Sequence, residues 1–222
     1  MDRAKGIDVS KWDPVTDWSA VKGAGVSFVG MKATEGNSIT DSKLVAMRDG
    51  FRANDFALGI YFHFGRTGDP EKQANRFVKA VGPLQPNERL ALDFEVMLTA
   101  TPAEELPWIE KFITVLLEMY PDRDPILYTS DRIWRMIGNP TWLAGNTDLW
   151  VPRYNAAMQE PTLPGPWGKA GWSFWQWTDG GQTGPVYTCP GVGHCDASYF
   201  KGDLAALVEY AKLTTPPPPA VA

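Results

Sequence analysis

Cysteine is nearly absent, since Cys189 and Cys195 are the only two in 222 residues. No disulfide framework can hold such a chain together, and its stability has to come from a packed core. No apolar run approaches the roughly 18 residues of a membrane-spanning helix, and the opening MDRAKGIDVS has no apolar stretch of a secretion signal. Lysine and arginine number 21 against 26 acids, for a net charge of −5, and they form no cluster. That leaves no electrostatic footprint for nucleic acid or an anionic membrane. What remains is an ordinary soluble composition, 44% hydrophobic and 21% charged, of a length that suits one domain.

Short β-rich apolar runs alternate with longer helical patterns, which is the mark of βα units around a largely parallel sheet. The runs fall at residues 5–9, 26–32, 57–62, 89–94, 125–128, 148–151 and 171–177, with a short one near 193–196. Eight strands predict an α/β fold of the barrel type. Leu44, Met47 and Phe51 recur at helical spacing, as do Ala74, Phe77, Val78 and Val81, so each segment covers the sheet with one apolar face. Thr101, Pro102 and Glu104 form a helix-start signal, with a cap, a proline at the first position and a capping-box acid. Ile109, Phe112, Ile113, Leu116 and Leu117 give the face of the helix that follows, and Pro107 is a candidate kink. Beyond Trp142 the chain turns rich in Gly, Pro and Trp, so the last third is expected to join its strands by loops. We take residues 1–213 as the barrel and 214–222, with four consecutive prolines, as an extended tail or the start of a linker.

Active-site residues of a β/α barrel sit at the C-terminal ends of its strands, which makes the acids there informative. Asp8 ends the first run, Glu35 follows the second, Asp93 and Glu95 end the fourth, and Asp196 lies at the eighth. On an extended strand Asp93 and Glu95 would point the same way, with backbones about 6.6 Å apart. Two carboxylates sharing a partly apolar pocket cannot both ionise easily, so one keeps its proton near neutrality, as a glycosidase general acid must. The bland alternative is that the pair caps a helix or meets Arg89 or Lys111. Ten tryptophans, seven tyrosines and ten phenylalanines add aromatic faces suited to sugar rings, although any single Trp is more often core. On the strand at 171–177, Trp175 and Trp177 alternate with Phe174 and Gln176, so only one of these pairs faces the barrel interior. His63 reads as a hydrogen-bonded core residue. The segment CPGVGHC leaves three readings open: two thiols, a local disulfide, or a metal site with His194.

Taken in order, these segments resemble glycoside hydrolase family 25, the Chalaropsis-type lysozymes or N-acetylmuramidases. The resemblance is carried by Gly6-Ile7-Asp8-Val9-Ser10, Lys32-Ala33-Thr34-Glu35-Gly36, Tyr61-Phe62-His63-Phe64, Gln73-Ala74 with Phe77, and Leu92-Asp93-Phe94-Glu95. It continues through Tyr128-Thr129-Ser130, Leu149-Trp150-Val151 with Arg153-Tyr154, Phe174-Trp175-Gln176-Trp177, and Asp196 with Phe200, spanning about residues 6–207. The resemblance implies an irregular TIM-like (β/α) barrel that cleaves the β-1,4 bond between N-acetylmuramic acid and N-acetylglucosamine of bacterial peptidoglycan. It implies Glu95 as general acid, Asp93 as its partner carboxylate, and Asp8 and Asp196 as the other acids of the pocket. Tyr61, Lys32, Glu35, Tyr128, Gln176, Trp177 and Tyr154 match positions that line or brace the cleft. Asp13 departs from the family, which often has Gln there, and the Cys-bearing loop at 187–194 is an individual elaboration.

Two mechanisms fit: attack by the substrate's 2-acetamido group assisted by Asp93, or direct attack by Asp93 or Asp196. Neither needs a metal or cofactor. The rivals are a chitinase-like hydrolase, a catalytically silent wall-binding barrel and a metal-dependent hydrolase. The expected setting is the bacterial cell wall, as a monomeric catalytic domain of a phage endolysin released at lysis, or else as a trimmed secreted enzyme. A C-terminal wall-binding module beyond the Pro-rich tail is part of that expectation.

Overall fold

The computed structural model describes residues 2–97, 101–155, 157–161, 163, 167–168 and 171–212; the Pro-rich tail lies outside them. The chain runs β1 (Lys5–Val9), α1 (Trp18–Gly23), β2 (Val26–Glu35), β3 (Ile39–Thr40), α2 (Leu44–Arg52), β4 (Leu58–Phe64), α3 (Pro70–Val81) and β5 (Glu88–Asp93). It continues with α4 (Pro102–Met119), β6 (Ile126–Tyr128), α5 (Asp131–Met136), α6 (Thr141–Asn146), β7 (Asp148–Pro152) and β8 (Phe174–Asp179). The hairpin strands β9 (Thr188–Cys189) and β10 (Gly193–His194), then β11 (Asp196–Phe200) and α7 (Leu204–Lys212), complete it. Eight strands close into a barrel in the order β1, β2, β4, β5, β6, β7, β8, β11, with β11 returning to β1. Seven run parallel, and β11 is antiparallel to both neighbours.

The strands alternate, and that decides what reaches the site. Inward residues Phe28, Ile60, Ala91, Ile126, Trp150 and Phe174 pack as one cluster inside the barrel. Outward residues such as Val29, Met31, Leu92, Leu127 and Val151 join the helices in a second cluster. The helices bury the faces their periodicity announces: Leu44, Met47 and Phe51 on α2, and Ala74, Phe77, Val78 and Val81 on α3. Asp69 caps α3 by accepting from the Glu71 and Lys72 amides at 2.9 and 3.2 Å. At α4 the Thr101 amide donates to the Glu104 carboxylate at 3.1 Å, and the helix runs through Pro107 to Met119 unbroken.

Two expectations need correction. The eighth strand is not at 193–196 but at Asp196–Phe200, because residues 193–194 pair with Thr188 and Cys189 in a separate hairpin. Helical structure also returns late, in α7. Leu204, Leu207, Val208 and Ala211 stand at helical spacing, and Leu207 and Ala211 join the inner cluster, closing the end of the barrel away from the acids. Arg89 donates to the Tyr210 and Ala211 carbonyls at 3.2 and 3.0 Å, occupying orphan acceptors at the C-terminus of that helix.

Candidate active site

Asp8 sits on β1 between outward-facing Ile7 and Val9, so alternation turns it into the barrel. Its neighbour across the β1–β2 pairing is Gly30. A Cβ at Gly30 would lie 2.5 Å from Asp8 Oδ1 and 2.9 Å from the Trp150 ring, so only glycine leaves room for that carboxyl. Asp93 closes β5, and the Phe94 amide extends the pairing by donating to the Tyr128 carbonyl at 2.8 Å. Phe94 points outward into the helix layer, which leaves Asp93 and Glu95 on the pocket side although Glu95 lies past the strand end. Asp196 is the first residue of β11. Because that strand is antiparallel, its start lies on the face where the parallel strands end, with Asp8 and Asp179 as its register partners.

These acids share one pocket of about 390 Å³, within the range of ligand sites. Lys32, Tyr128, Tyr154 and Gln176 also line it, and Phe62, Phe64 and Trp150 give it apolar walls. Gln176 is the hub of its hydrogen bonding. The amide nitrogen donates to Asp8 Oδ2 at 2.7 Å and Asp196 Oδ2 at 3.1 Å, and the carbonyl accepts from the Tyr128 and Tyr154 hydroxyls at 2.7 and 2.6 Å. Asp8 Oδ1 and Asp93 Oδ1 are buried with no hydrogen-bond partner among the described residues.

Crowded acids in a poorly solvated pocket hold their protons. Burial pushes Asp8 well above the usual carboxylate range, and the Asp196 charge adds to it. Asp93 is raised by burial and then by Glu95, and Glu95 is raised by burial against the opposing pull of Arg66 and Lys32. Asp196 is pushed up to about 7 by burial, then by the charges of Asp13, Asp179 and Glu95. Glu35 behaves in the opposite way. Burial would raise it, but hydrogen bonds from Lys32 and Arg66 outweigh that and hold it low.

Nine of the eleven residues anticipated from sequence stand at or beside this pocket, and two do not. Glu35 braces rather than lines it, accepting from Lys32 Nζ at 2.7 Å and Arg66 Nε at 2.9 Å. Tyr61 faces outward and is fully buried, with its hydroxyl donating to Glu88 at 2.9 Å beside Arg52. Trp177 also faces outward, against Tyr187 and Tyr199. Strand alternation requires both placements, since Phe62 and Gln176 take the inward positions next to them.

Arg66 and Asp179 are the residues that sequence reading missed. Asp179 ends β8 on the acid-bearing face, and the strand-end rule would have found it had the strand not been stopped at Trp177. His63 is buried between Thr34 Oγ1 at 2.8 Å and Gln73 Oε1 at 2.9 Å. Burial brings it down to about 4, so it is a neutral packing residue. Cys189 and Cys195 are free thiols, hydrogen-bonded to each other, while His194 Nδ1 lies 3.3 Å from the Gly180 carbonyl.

A closed eight-stranded barrel with a cluster of acids at one mouth is compatible with glycoside hydrolysis, and comparison with known proteins decides the family. Residues 7–186 match Glycosyl hydrolases family 25. The chain belongs to that family. This family 25 hydrolase is 29% identical to Lysozyme M1 of Streptomyces globisporus over 95% of its own length and 72% of that protein's. Its fold superposes on the lysozyme of Streptomyces coelicolor with a TM-score of 0.82 at 28% identity, covering 96% of this chain and 98% of that one. On the muramidase of Acremonium alcalophilum the TM-score is 0.79 at 29% identity, with 95% and 99% covered.

Proposed function

We propose that this family 25 hydrolase is a lysozyme, cutting the β-1,4 bond between N-acetylmuramic acid and N-acetylglucosamine in bacterial peptidoglycan. Glu95 is the general acid and base. It lines the pocket at its mouth, where partial desolvation raises its affinity for a proton, so it can protonate the leaving oxygen as the glycosidic bond breaks. The observation that carries the rest is Asp93 Oδ1, a buried acceptor with no partner among the described residues.

An unpaired buried acceptor is costly unless a ligand satisfies it. The N–H of a 2-acetamido group supplies the missing donor. Held there, the acetamido carbonyl oxygen attacks the anomeric carbon, the bond to the leaving oxygen breaks, and an oxazolinium ion forms beside Asp93. Glu95, now a carboxylate, takes a proton from water as that water opens the ring, and the configuration at the anomeric carbon is retained. Asp196 is a poor candidate for direct nucleophile, because it holds its proton to about pH 7 and one of its oxygens is engaged by Gln176.

The test is a peptidoglycan digest by wild type and Glu95→Gln, reduced with borohydride and read by mass spectrometry. Reduced muramic acid ends, with a loss of at least ~10³-fold in the variant, are expected. Reduced glucosamine ends, or cleavage of chitin in place of peptidoglycan, would overturn the substrate assignment, and no cleavage at all would turn the chain into a binding barrel.

A further inference from the structure

Asp8 and Asp196 face each other across the antiparallel β1–β11 pairing, where like charges repel. No cation relieves them among the described residues. Lys32 and Arg66 are the nearby cations, and both are spent on Glu35. The other ionisable groups that face the pair are Asp13 and Asp179, with Asp93 and Glu95 across the pocket, the Cys195 thiol, which its hydrogen bond to Cys189 and then the Asp8 and Asp196 charges help to keep protonated, and the Tyr128 and Tyr154 hydroxyls, which point at Gln176. One neutral amide nitrogen is what both aspartates share.

We propose that Gln176 is a positioning residue, which acts on the reaction by holding Asp8 and Asp196 in place rather than by touching the sugar. Its own valences are the reason. A primary amide has two N–H donors and two carbonyl lone pairs, and here two carboxylates and two hydroxyls use all four. The orientation follows from the charged state of the pair, since a flipped amide would aim its carbonyl at two carboxylates whenever both are ionised. Substrate therefore meets a saturated group at Gln176 and free acceptors at Asp8 Oδ1 and Asp93 Oδ1. With Asp8 Oδ2 tied down and Gly30 shaped around Oδ1, the free Asp8 atom has one address on the pocket floor.

The inference rests on the lysozyme reading for its catalytic consequence but not for its physical one, so two kinds of measurement separate them. Gln176→Glu keeps acceptors for both tyrosines and has at most one donor, lost on ionisation, and Gln176→Met removes donors and acceptors in a similar shape. Carboxyl ¹³C shifts of Asp8 and Asp196, titrated in the free protein, should show both groups holding their protons to higher pH in either variant. On peptidoglycan, kcat should fall at least ~10-fold with KM within about twofold, the pattern of a lost transition-state arrangement rather than lost binding, and the pH profile of kcat should move with the titration.

A rise in KM with kcat unchanged would overturn the proposal and make Gln176 a sugar contact. So would unchanged titrations accompanied only by a lower Tm, or wild-type behaviour of Gln176→Glu. Failure of the wild type to cut peptidoglycan would sink the lysozyme reading alone, and the titrations would still decide the role of Gln176.

Discussion

Replacing Asp196 by Asn should make this enzyme more stable and less active, by an amount that depends on pH. The Asp196 carboxyl ionises at about 7 in the folded protein against an ordinary 3.8. The folded state therefore binds more protons than the unfolded chain between those values, and stability falls as pH rises through that window. At about 1.4 kcal/mol per pH unit, the charge costs up to about 4 kcal/mol above pH 7. Asn removes the charge and keeps a carbonyl for the Gln176 amide, which now donates to Asp196 at 3.1 Å. It also relieves Asp8, whose proton is held partly by the Asp196 charge.

For a chain of this size the gain corresponds to a Tm rise on the order of 10 °C. Calorimetry of both proteins at pH 8 and pH 4 checks it: a large gap is expected at pH 8, and below about 1 kcal/mol should remain at pH 4. A gap of equal size at both values, or a less stable variant at pH 8, would refute the reasoning. Loss of activity alongside the gain would be the usual exchange of stability for function at a strained site.

Tyr61→Phe should leave kcat/KM unchanged and cost about 1 kcal/mol, because Glu88 keeps the Arg52 ion pair when the tyrosine bond is lost; a large loss of activity in peptidoglycan turnover would return Tyr61 to the cleft. Arg66→Gln removes a cation that opposes the rise of Glu95, so Glu95 should keep its proton to higher pH and the basic limb of kcat/KM should move up. A limb that stays in place, or moves down, contradicts this. His63 ionises at about 4 in the folded protein against 6.5 for the free side chain, the reverse sign from Asp196, so its contribution to stability is lost as pH falls through that window. Nitrogen NMR should find it neutral at pH 5.5, with the proton on Nε2 facing Gln73; a charged ring at that pH would remove the argument.

The barrel was legible because its two periods are written plainly. β1 matches its predicted span, and the apolar faces of α2 and α3 are the residues that helical spacing selects. The capping signal at Thr101 and Glu104 marks a real helix start. The two misplaced site residues came from reading a motif without its alternation. In Gln176-Trp177 adjacent residues are both given to the cleft, which no strand allows, and in Tyr61-Phe62 the residue chosen is the one that faces outward while Phe62 takes the inward position. Arg66 was out of reach for a different reason: it lies in the loop after β4, and its partner Glu35 is 31 positions away, a pairing that local patterns do not encode.

Asp196 shows how direction can be recovered from sequence. A parallel strand has to be reached through a crossover that carries the chain back to the other end of the barrel, usually by a helix. Between Asp179 and Asp196 the chain has Gly180, Gly181, Gly184, Gly191 and Gly193 and no helical period, so nothing there returns it. The chain leaves β8 and enters β11 at the same face, with only a short hairpin between them. The first residue of β11 therefore belongs to the acid-lined mouth for the same reason that the last residue of each parallel strand does. An acid that opens a strand is as informative as one that closes it whenever the preceding connection holds no crossover helix.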